Sequence, residues 1–558
     1  MKFGFFFELV TNKEVTTYND HGMLEVTNWG GNSTGNGYAD LLMGRVASIQ
    51  QSTPNFITDG ARQEYTFFAQ DSWKASRRLT IEIGARFQHP GWVYERNGYM
   101  FGFDSKLYDP DSPIEAYTGL VSPHLGWDGP KSIFKNPALV VSPRLGFAYD
   151  LTGRGNTVIR GGAGVFRYVG ETDVSIAATS NPPLMFDTYL CCGLELRDIE
   201  AIDPTQDPQK ATLSVMEPLA DKVPTTLSWS FTLSHRLPAA TVLEASYVGN
   251  NSRHQRITSG SNINAVPEGA MFGFPLGDDD NSYRPFLNYG SINMIRHSLS
   301  QNYNSLQVTA NRQTGRINYS MAYTFSKGLG IGGATYGTPS DNFDQRRRSY
   351  SVLPYDRTHG FSVAYNILLP GTFRQPVVKG LFQGWQVSGI SQWQSGAPLA
   401  IPSDTGGGLE FSGTMADGQQ LEARLVNGTP DTPARPWLIC DPRDGLAKGQ
   451  YANPACFVAP LPGKNGTYAM PYMKGPGFQN HDISVFKNWE WTEHRKVQFR
   501  FSMYNFPNHP IPFFAGGDPG LAINFENGVP DQDSLTKFGK PSLKKGRRLM
   551  QFAIKFYF

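Results

Sequence analysis

Four cysteines carry the most distinctive chemistry in this chain. Cys191 and Cys192 are adjacent, whereas Cys440 and Cys456 flank a stretch rich in proline and glycine. None of them has the CxxC spacing that is typical of a zinc site. We predict a loop disulfide between Cys440 and Cys456, which would indicate an oxidising compartment. The alternative of two free thiols stays open, since position in a loop does not prove pairing.

Other reactive residue types lack the patterns that catalysis or cofactor binding needs. The glycines at 406–408 have no strand-loop-helix context and no GKS or GKT element, so they are read as a loop tip. The aspartates at 278–280 could bind calcium but are more simply a solvated acidic loop. The arginines at 346–348 could contact lipopolysaccharide phosphates but are more simply a solvated charge run. No HExxH spacing occurs. Composition alone leaves a Ser-His-Asp triad open, but no GxSxG elbow supports one, so we expect no catalytic residues, no metal, no cofactor and no enzyme.

The elements that position the side chains are predicted to be strands, because apolar and polar residues alternate along many runs. In residues 549–558, Met550, Phe552, Ile554 and Phe556 share one face of a strand. Runs of about ten residues with this period are typical of tilted strands that span a membrane. The residues predicted to face lipid are Ile81, Ile83, Trp229, Phe231, Tyr319, Phe361, Phe499 and Phe556. The residues predicted to face a wet lumen are Glu82, Arg86, Gln498 and Arg500.

Composition agrees with a β-barrel and excludes several other classes. The chain has 558 residues, of which 39% are hydrophobic and 13% are aromatic. No apolar run approaches the roughly 20 residues of a membrane-spanning helix. The 59 glycines and 39 prolines favour many turns. The formal net charge of +2 gives no reason to expect a nucleic-acid partner.

Connections between the predicted strands alternate between short and long. Short ones are expected near 74–78, 151–156, 235–240, 313–316 and 491–495, and long ones near 89–140, 170–223, 250–301, 327–355, 395–479 and 507–545. This alternation is typical of an up-and-down antiparallel barrel with turns at one rim and loops at the other. Residues 2–10 are predicted to form the first strand, and 22–27 and 45–51 are weaker candidates. The total is about 14–16 strands.

Several short motifs resemble TonB-dependent outer-membrane receptors. Residues 64–74 (EYTFFAQDSWK) and 78–86 (RLTIEIGAR) resemble one hairpin of that family, and 142–150 (SPRLGFAYD) and 158–162 (VIRGG) resemble the next. The Oar-like branch is indicated by 302–307 (NYNSLQ), 323–327 (YTFSK), 384–389 (GWQVSG), 453–457 (NPACF), 475–478 (GPGF) and 504–510 (YNFPNHP). Each motif is weakly specific, but their collinear order over nearly the whole chain is strongly specific.

The resemblance implies a location in the bacterial outer membrane and import of a scarce nutrient, such as a siderophore or an oligosaccharide. It implies contacts with outer-membrane lipid and lipopolysaccharide, and coupling to the TonB system through an N-terminal plug. The sequence has no recognisable plug and fewer strands than the family's roughly 22. We therefore expect residues 1–558 to be one barrel domain, the C-terminal portion of a longer receptor, whose first and last strands leave a gap or close a smaller barrel. Expressed alone, it is expected to give no TonB-dependent uptake.

Three other functions are possible on the sequence alone. A passive porin would need a complete barrel and no plug, and an enzyme built on a barrel would need a nucleophile and a base at one rim. A soluble propeller or adhesin would show repeats of about 40–50 residues, and none is visible.

Overall fold

Each run of alternating residues forms a strand that pairs with the runs before and after it in the sequence. A computed structural model describes residues 1–15, 21–26, 32–52, 57–168, 177–197, 210–257, 261–272, 279–331, 350–371, 373–399, 410–421, 427–431, 435–464, 466, 473–490, 495–515 and 518–558. Fourteen strands follow one another in the main sheet, and two short marginal strands bring its total to sixteen. The fourteen are β1 (Lys2–Val15), β2 (Ile57–Lys74), β3 (Leu79–Pro90), β4 (Val140–Asp150), β5 (Thr157–Arg167), β6 (Thr225–Leu237), β7 (Thr241–Arg256), β8 (His297–Arg312), β9 (Ile317–Ile331), β10 (His359–Leu368), β11 (Trp385–Gln394), β12 (Phe478–Glu490), β13 (Lys496–Tyr504) and β14 (Leu549–Tyr557).

Every neighbouring pair in this series is antiparallel, so the chain runs up and down across the sheet. The predicted fold class, an antiparallel meander of the outer-membrane barrel type, is confirmed. Within the described ranges, β1 pairs only with β2 and β14 only with β13, so no backbone ladder joins the two ends of the sheet.

The connections separate into two edges of the sheet because strand direction alternates. Short connections join β2 to β3, β4 to β5, β6 to β7, β8 to β9 and β12 to β13 at one edge, which we call the turn edge. The connection from β10 to β11 lies at the same edge and contains a helix, Pro376–Phe382. The opposite edge, the loop edge, carries every long connection.

Two weaker strand predictions were wrong. Residues 22–27 and 45–51 do not enter the meander; Met23–Glu25 and Arg45–Ser52 pair in a separate three-stranded sheet with Asp187–Glu195. The physical reason is length: these strands have 3 and 8 residues, and a tilted membrane strand needs about 9–11.

Long connections at the loop edge build hydrophobic cores of their own. The connections after β3, β5 and β7 share a five-stranded sheet whose core includes Phe101, Leu213 and Tyr289. Burial raises the pKa of the Tyr289 phenol above its usual range, and its hydroxyl donates a hydrogen bond to the Thr118 carbonyl at 2.9 Å. The connections after β11 and β13 share a second core, which includes Phe457 and Phe525.

Short elements complete the described structure. The α-helices are α1 (Gly37–Leu42), α2 (Pro376–Phe382) and α3 (Gln532–Lys537). The marginal strands are Tyr94–Glu95 and Tyr350–Val352. The remaining short strands are Gly102–Phe103, Leu120–Val121, Leu213–Met216, Ser261–Asn262, Ile292–Ile295, Glu410–Gly413, Trp437–Leu438, Phe457–Val458, Ile511–Phe513, Ala522–Glu526, Val529–Pro530 and Leu543–Lys545. None of the helices within the described ranges is long and apolar enough to cross a membrane.

Candidate functional site on the polar face of the sheet

Strand register gives the sheet one apolar and one polar face. Residues that pair across antiparallel strands direct their side chains to the same side. Following these pairs from β3 to β14 places on one face Ile81, Ile83, Trp229, Phe231, Tyr319, Phe361, Phe499 and Phe556. The same pairs place Glu82, Arg86, Gln498 and Arg500 on the other face. The sequence-predicted residues thus fall into two sets on opposite sides of one sheet.

At either end of the sheet, no other described part of the chain covers the apolar face. Phe5 in β1 is 67% exposed, and Phe552 and Ile554 in β14 are 68% and 61% exposed. Exposed apolar area of this extent is unfavourable in water by about 25 cal/mol per Å². An apolar medium against this face removes that cost.

The polar face carries a charge network where β1, β2 and β3 meet. Glu64, whose side chain is only 7% exposed, accepts hydrogen bonds from Arg86 Nη2 at 2.8 Å, Gln88 Nε2 at 2.7 Å and Arg62 Nη1 at 3.2 Å. Arg62 also pairs with Glu8 on β1. The network holds two guanidinium groups against two carboxylates, so it is close to neutral. Glu82, in contrast, is exposed nearer the turn edge and takes no part in it.

The second predicted polar pair, on β13, is local. Arg500 Nη2 donates to Gln498 Oε1 at 3.2 Å, and its guanidinium lies 4.6 Å from the Phe486 ring centroid on β12. Gln498 Nε2 donates to Asn488 Oδ1 at 2.9 Å. These residues lie on β12 and β13, whereas the network around Glu64 lies on β1 to β3, and the two groups do not contact each other.

A cavity of about 480 Å³ lies on the polar face near the loop edge, along β8 to β12. The polar-face side chains that form its wall include Tyr303, Thr324, Ser362, Gln392, Gln394 and Phe478. Tyr355, Asp356 and Arg357, which precede β10, close one side. The volume falls within the roughly 300–1,000 Å³ typical of small-molecule sites.

Two connections at the loop edge, one before β8 and one before β12, are bound to each other. The segment 427–431, between β11 and β12, lies against residues 266–271 and Arg284, between β7 and β8. We call this contact the loop clasp. Arg284 Nη1 donates to Asp431 Oδ2 at 2.8 Å, and the side chain of Arg284 is 8% exposed. The other hydrogen bonds of the clasp are Val266 N to Asp431 Oδ2 (2.7 Å), Thr429 Oγ1 to Val266 O (2.7 Å), Gly269 N to Asn427 O (2.7 Å) and Met271 N to Gly428 O (2.9 Å).

Cys440 and Cys456 lie in the connection between β11 and β12, at the loop edge. Their sulfurs are 1.92 Å apart and their Cα atoms 4.9 Å apart, in a disulfide. Beside it, hydrogen bonds from Arg443 lower the pKa of the Asp441 carboxyl to about 2. The glycines at 406–408, the arginines at 346–348 and Asp278 lie outside the described residues. Within the described part of the chain, no group of His, Cys, Asp and Glu side chains is arranged to hold a metal ion.

Sequence reasoning missed Glu64 and the polar residues of the cavity. It selected Glu82, Arg86, Gln498 and Arg500, which lie on β3 and β13, whereas the cavity wall lies on β8 to β12 and is mostly neutral. Alternation within β9 and β10 puts Thr324 and Ser362 on the polar face, but the convergence of five strands on one cavity follows only from the pairing of the strands.

Comparison with known proteins gives one family match. The family model described as an outer membrane beta barrel domain matches residues 1–551. Among the curated proteins searched, none matches this sequence.

Three solved structures are similar to this chain at low identity. The siderophore receptor PiuA from Acinetobacter baumannii is 7% identical, with a TM-score of 0.40 over 91% of this chain and 45% of that one. The outer membrane transporter YddB from Escherichia coli is 8% identical, with a TM-score of 0.41 over 92% and 60%. The ferric-catecholate import receptor Fiu from E. coli K12 is 10% identical, with a TM-score of 0.40 over 99% and 55%. The chain thus spans between 45% and 60% of the length of these structures.

Proposed function

Because this chain belongs to the family of outer membrane β-barrel domains, we propose that it is the barrel part of a TonB-dependent receptor that imports a scarce nutrient, such as a siderophore or an oligosaccharide. Its location is the bacterial outer membrane. The observation that carries the proposal is the register of the main sheet, which keeps one apolar and one polar face from β3 to β14. In a membrane, such a sheet separates lipid from a wet interior.

In this proposal the apolar face meets lipid and the polar face lines the solute path. Ile81, Phe231 and Phe556 are then in contact with acyl chains, together with the other residues of their set. Glu82, Arg86, Gln498 and Arg500 face the interior. Aromatic rings at the loop edge support this orientation: Phe361 stacks on Trp393 at 5.3 Å between centroids, as in the aromatic belts at membrane surfaces.

The loop edge is proposed to lie outside the cell. The disulfide between Cys440 and Cys456 suits an oxidising space, and short turns are typical of the periplasmic rim. Lipopolysaccharide would then surround the loop edge. The TonB system is the proposed energy source, reached through the plug that receptors of this kind carry.

Uptake measured with and without TonB tests the proposal. In the native bacterium, the gene is deleted and restored, and uptake of a panel of radiolabelled ferric siderophores and oligosaccharides is followed at micromolar concentration. We expect at least one solute whose uptake needs both the restored gene and TonB. Uptake that needs the chain but not TonB would identify a passive porin instead. No change for any solute on deletion would contradict a role in import.

A further inference from the structure

Several polar side chains of the cavity along β8 to β12 have no hydrogen-bond partner among the described residues. Tyr303, Thr324, Ser362, Gln392 and Gln394 make no side-chain hydrogen bond to any described residue. They are nevertheless near each other: Ser362 and Gln392 are directly opposite in the β10–β11 ladder. Hydroxyl and amide groups both donate and accept, so the wall offers unused hydrogen-bonding capacity of both kinds.

Outside the cavity, a few residues further along, polar side chains of β10 and β11 do form hydrogen bonds with each other. Asn366 and Ser388 are also directly opposite in the ladder, and Ser388 Oγ donates to Asn366 Oδ1 at 3.0 Å. Gln386 Nε2 donates to Asn366 Oδ1 at 2.7 Å. Cross-strand pairing is therefore available to neutral polar residues of this face, and the cavity wall is an exception to it. Until a ligand arrives, water satisfies these groups.

The cavity wall contains one acidic and one basic side chain, Asp356 and Arg357. The Asp356 side chain is fully buried; its Oδ1 accepts from Gly328 N at 2.8 Å, and Lys474 Nζ lies 3.5 Å from its Oδ2. Arg357 Nη1 donates to the carbonyl oxygens of Pro354 at 2.9 Å and Asp356 at 2.7 Å. The two charged residues of the wall thus have opposite charge and internal partners. The wall formed by Asp356 and Arg357 therefore has no net charge, which favours an uncharged ligand, since a charged one would lose hydration on entering.

Aromatic side chains complete the surface. Tyr303, Tyr355 and Phe478 line the cavity beside the hydroxyl and amide groups. Rings of this kind bury the apolar C–H face of a ligand while its polar edge is hydrogen-bonded. A molecule with an apolar face, many hydroxyl groups and no charge fits all three observations.

We propose that this cavity binds a neutral polyhydroxylated ligand, that is, an uncharged carbohydrate. The inference rests on the proposed function in one respect, that solutes reach the polar face from the loop edge. It narrows the substrate class of that function to neutral sugars. Gln392 and Gln394 would hydrogen-bond the hydroxyl groups of the ligand, and Thr324 and Ser362 would complete the set.

A glycan array tests the ligand class directly. The purified, fluorescently labelled protein in detergent is applied to an array of neutral, uronic-acid and sulfated glycans, and affinity for the strongest glycan is then measured by calorimetry. We expect retention on neutral glycans, and a Kd raised by about tenfold or more in the double variant Gln392→Ala/Gln394→Ala. The matched control is Gln386→Ala, which changes the same residue type on the same strand and face outside the cavity. Its Kd should stay within about twofold of the parent.

A second variant distinguishes loss of binding from loss of folding. Thr324→Val keeps the side-chain shape on a different strand and should weaken the same glycan severalfold; heat-modifiable migration in SDS gels reports folding of each variant. Retention on acidic glycans only, or no glycan retained, would overturn the carbohydrate assignment. Equal affinities of the double variant and the Gln386→Ala control would place the site elsewhere and overturn it too. TonB-dependent uptake of a non-sugar solute would leave the proposed transport intact while removing this inference.

Discussion

Single residues on the polar face differ in how much the fold depends on them. Glu64 is the acceptor for four side chains, namely those of Arg62, Thr66, Arg86 and Gln88. Glu82 lies on the next strand and the same face, with neither an ion pair nor a side-chain hydrogen bond among the described residues. Glu64 thus carries a buried charge with partners, whereas Glu82 carries an exposed charge.

Neutralising Glu64 is expected to destabilise the folded protein. Glu64→Gln removes the charge that holds Arg62 and Arg86, at a cost of about 1–3 kcal/mol in the free energy of unfolding. Urea unfolding in detergent, followed by tryptophan fluorescence, measures this. Glu82→Gln is the matched control and should stay within about 0.5 kcal/mol of the parent. Equal losses in the two variants would show that the network around Glu64 adds no stability.

At the scale of strands, alternation predicted both faces of the sheet. Alternation within a strand determines which of its residues share a face, and pairing between strands aligns that face with the face of the next strand. All eight predicted apolar residues therefore share a face. The loop cores could not be predicted in this way, because Phe101 and Tyr289 meet only through contacts distant in sequence. The cavity needed the same non-local information. The predictions for residues 22–27 and 45–51 were wrong because a short apolar stretch has the same pattern in a membrane-spanning strand and in a strand of a loop.

An added positive charge should cost very different amounts of folding free energy at two adjacent positions of β13. Phe499→Arg places a cation on the proposed lipid face and should cost about 2–4 kcal/mol at mid-membrane depth in the free energy of folding into lipid vesicles. Gln498→Arg, one residue away on the polar face, should cost much less. A similar cost for both variants would argue against lipid on the apolar face.

Arg500 gives a complementary prediction on permeation. Arg500→Gln removes a positive charge from the proposed solute path and breaks its contact with Phe486. We expect a shift of ion selectivity towards cations, measured as the reversal potential across planar bilayers in a salt gradient, with little change in the free energy of folding. An unchanged reversal potential in a conducting protein would place Arg500 outside the path.

In the whole molecule, the loop clasp joins two loop-edge connections that are far apart in sequence. Arg284 and Asp431 are 147 residues apart, and both are mostly buried. A buried, hydrogen-bonded pair is costly to break from one side, because the remaining charge loses its partner. The backbone bonds from Gly269 and Met271 to the segment 427–431 depend on the same approach of the two connections.

Breaking the clasp should release the loop edge and leave the sheet intact. Arg284→Ala removes a charge-assisted bond worth about 1–3 kcal/mol, so the amides of Gly269 and Met271 should exchange hydrogen for deuterium about tenfold faster or more. Amides of β8 to β12 in the ladder should keep their exchange rates, since the clasp shares no bond with them. Arg443→Ala is the matched control, because Arg443 belongs to the same β11–β12 connection but pairs with Asp441 in an exposed position. Unchanged exchange at Gly269 and Met271 in Arg284→Ala would mean that the backbone bonds hold the two connections together without the ion pair.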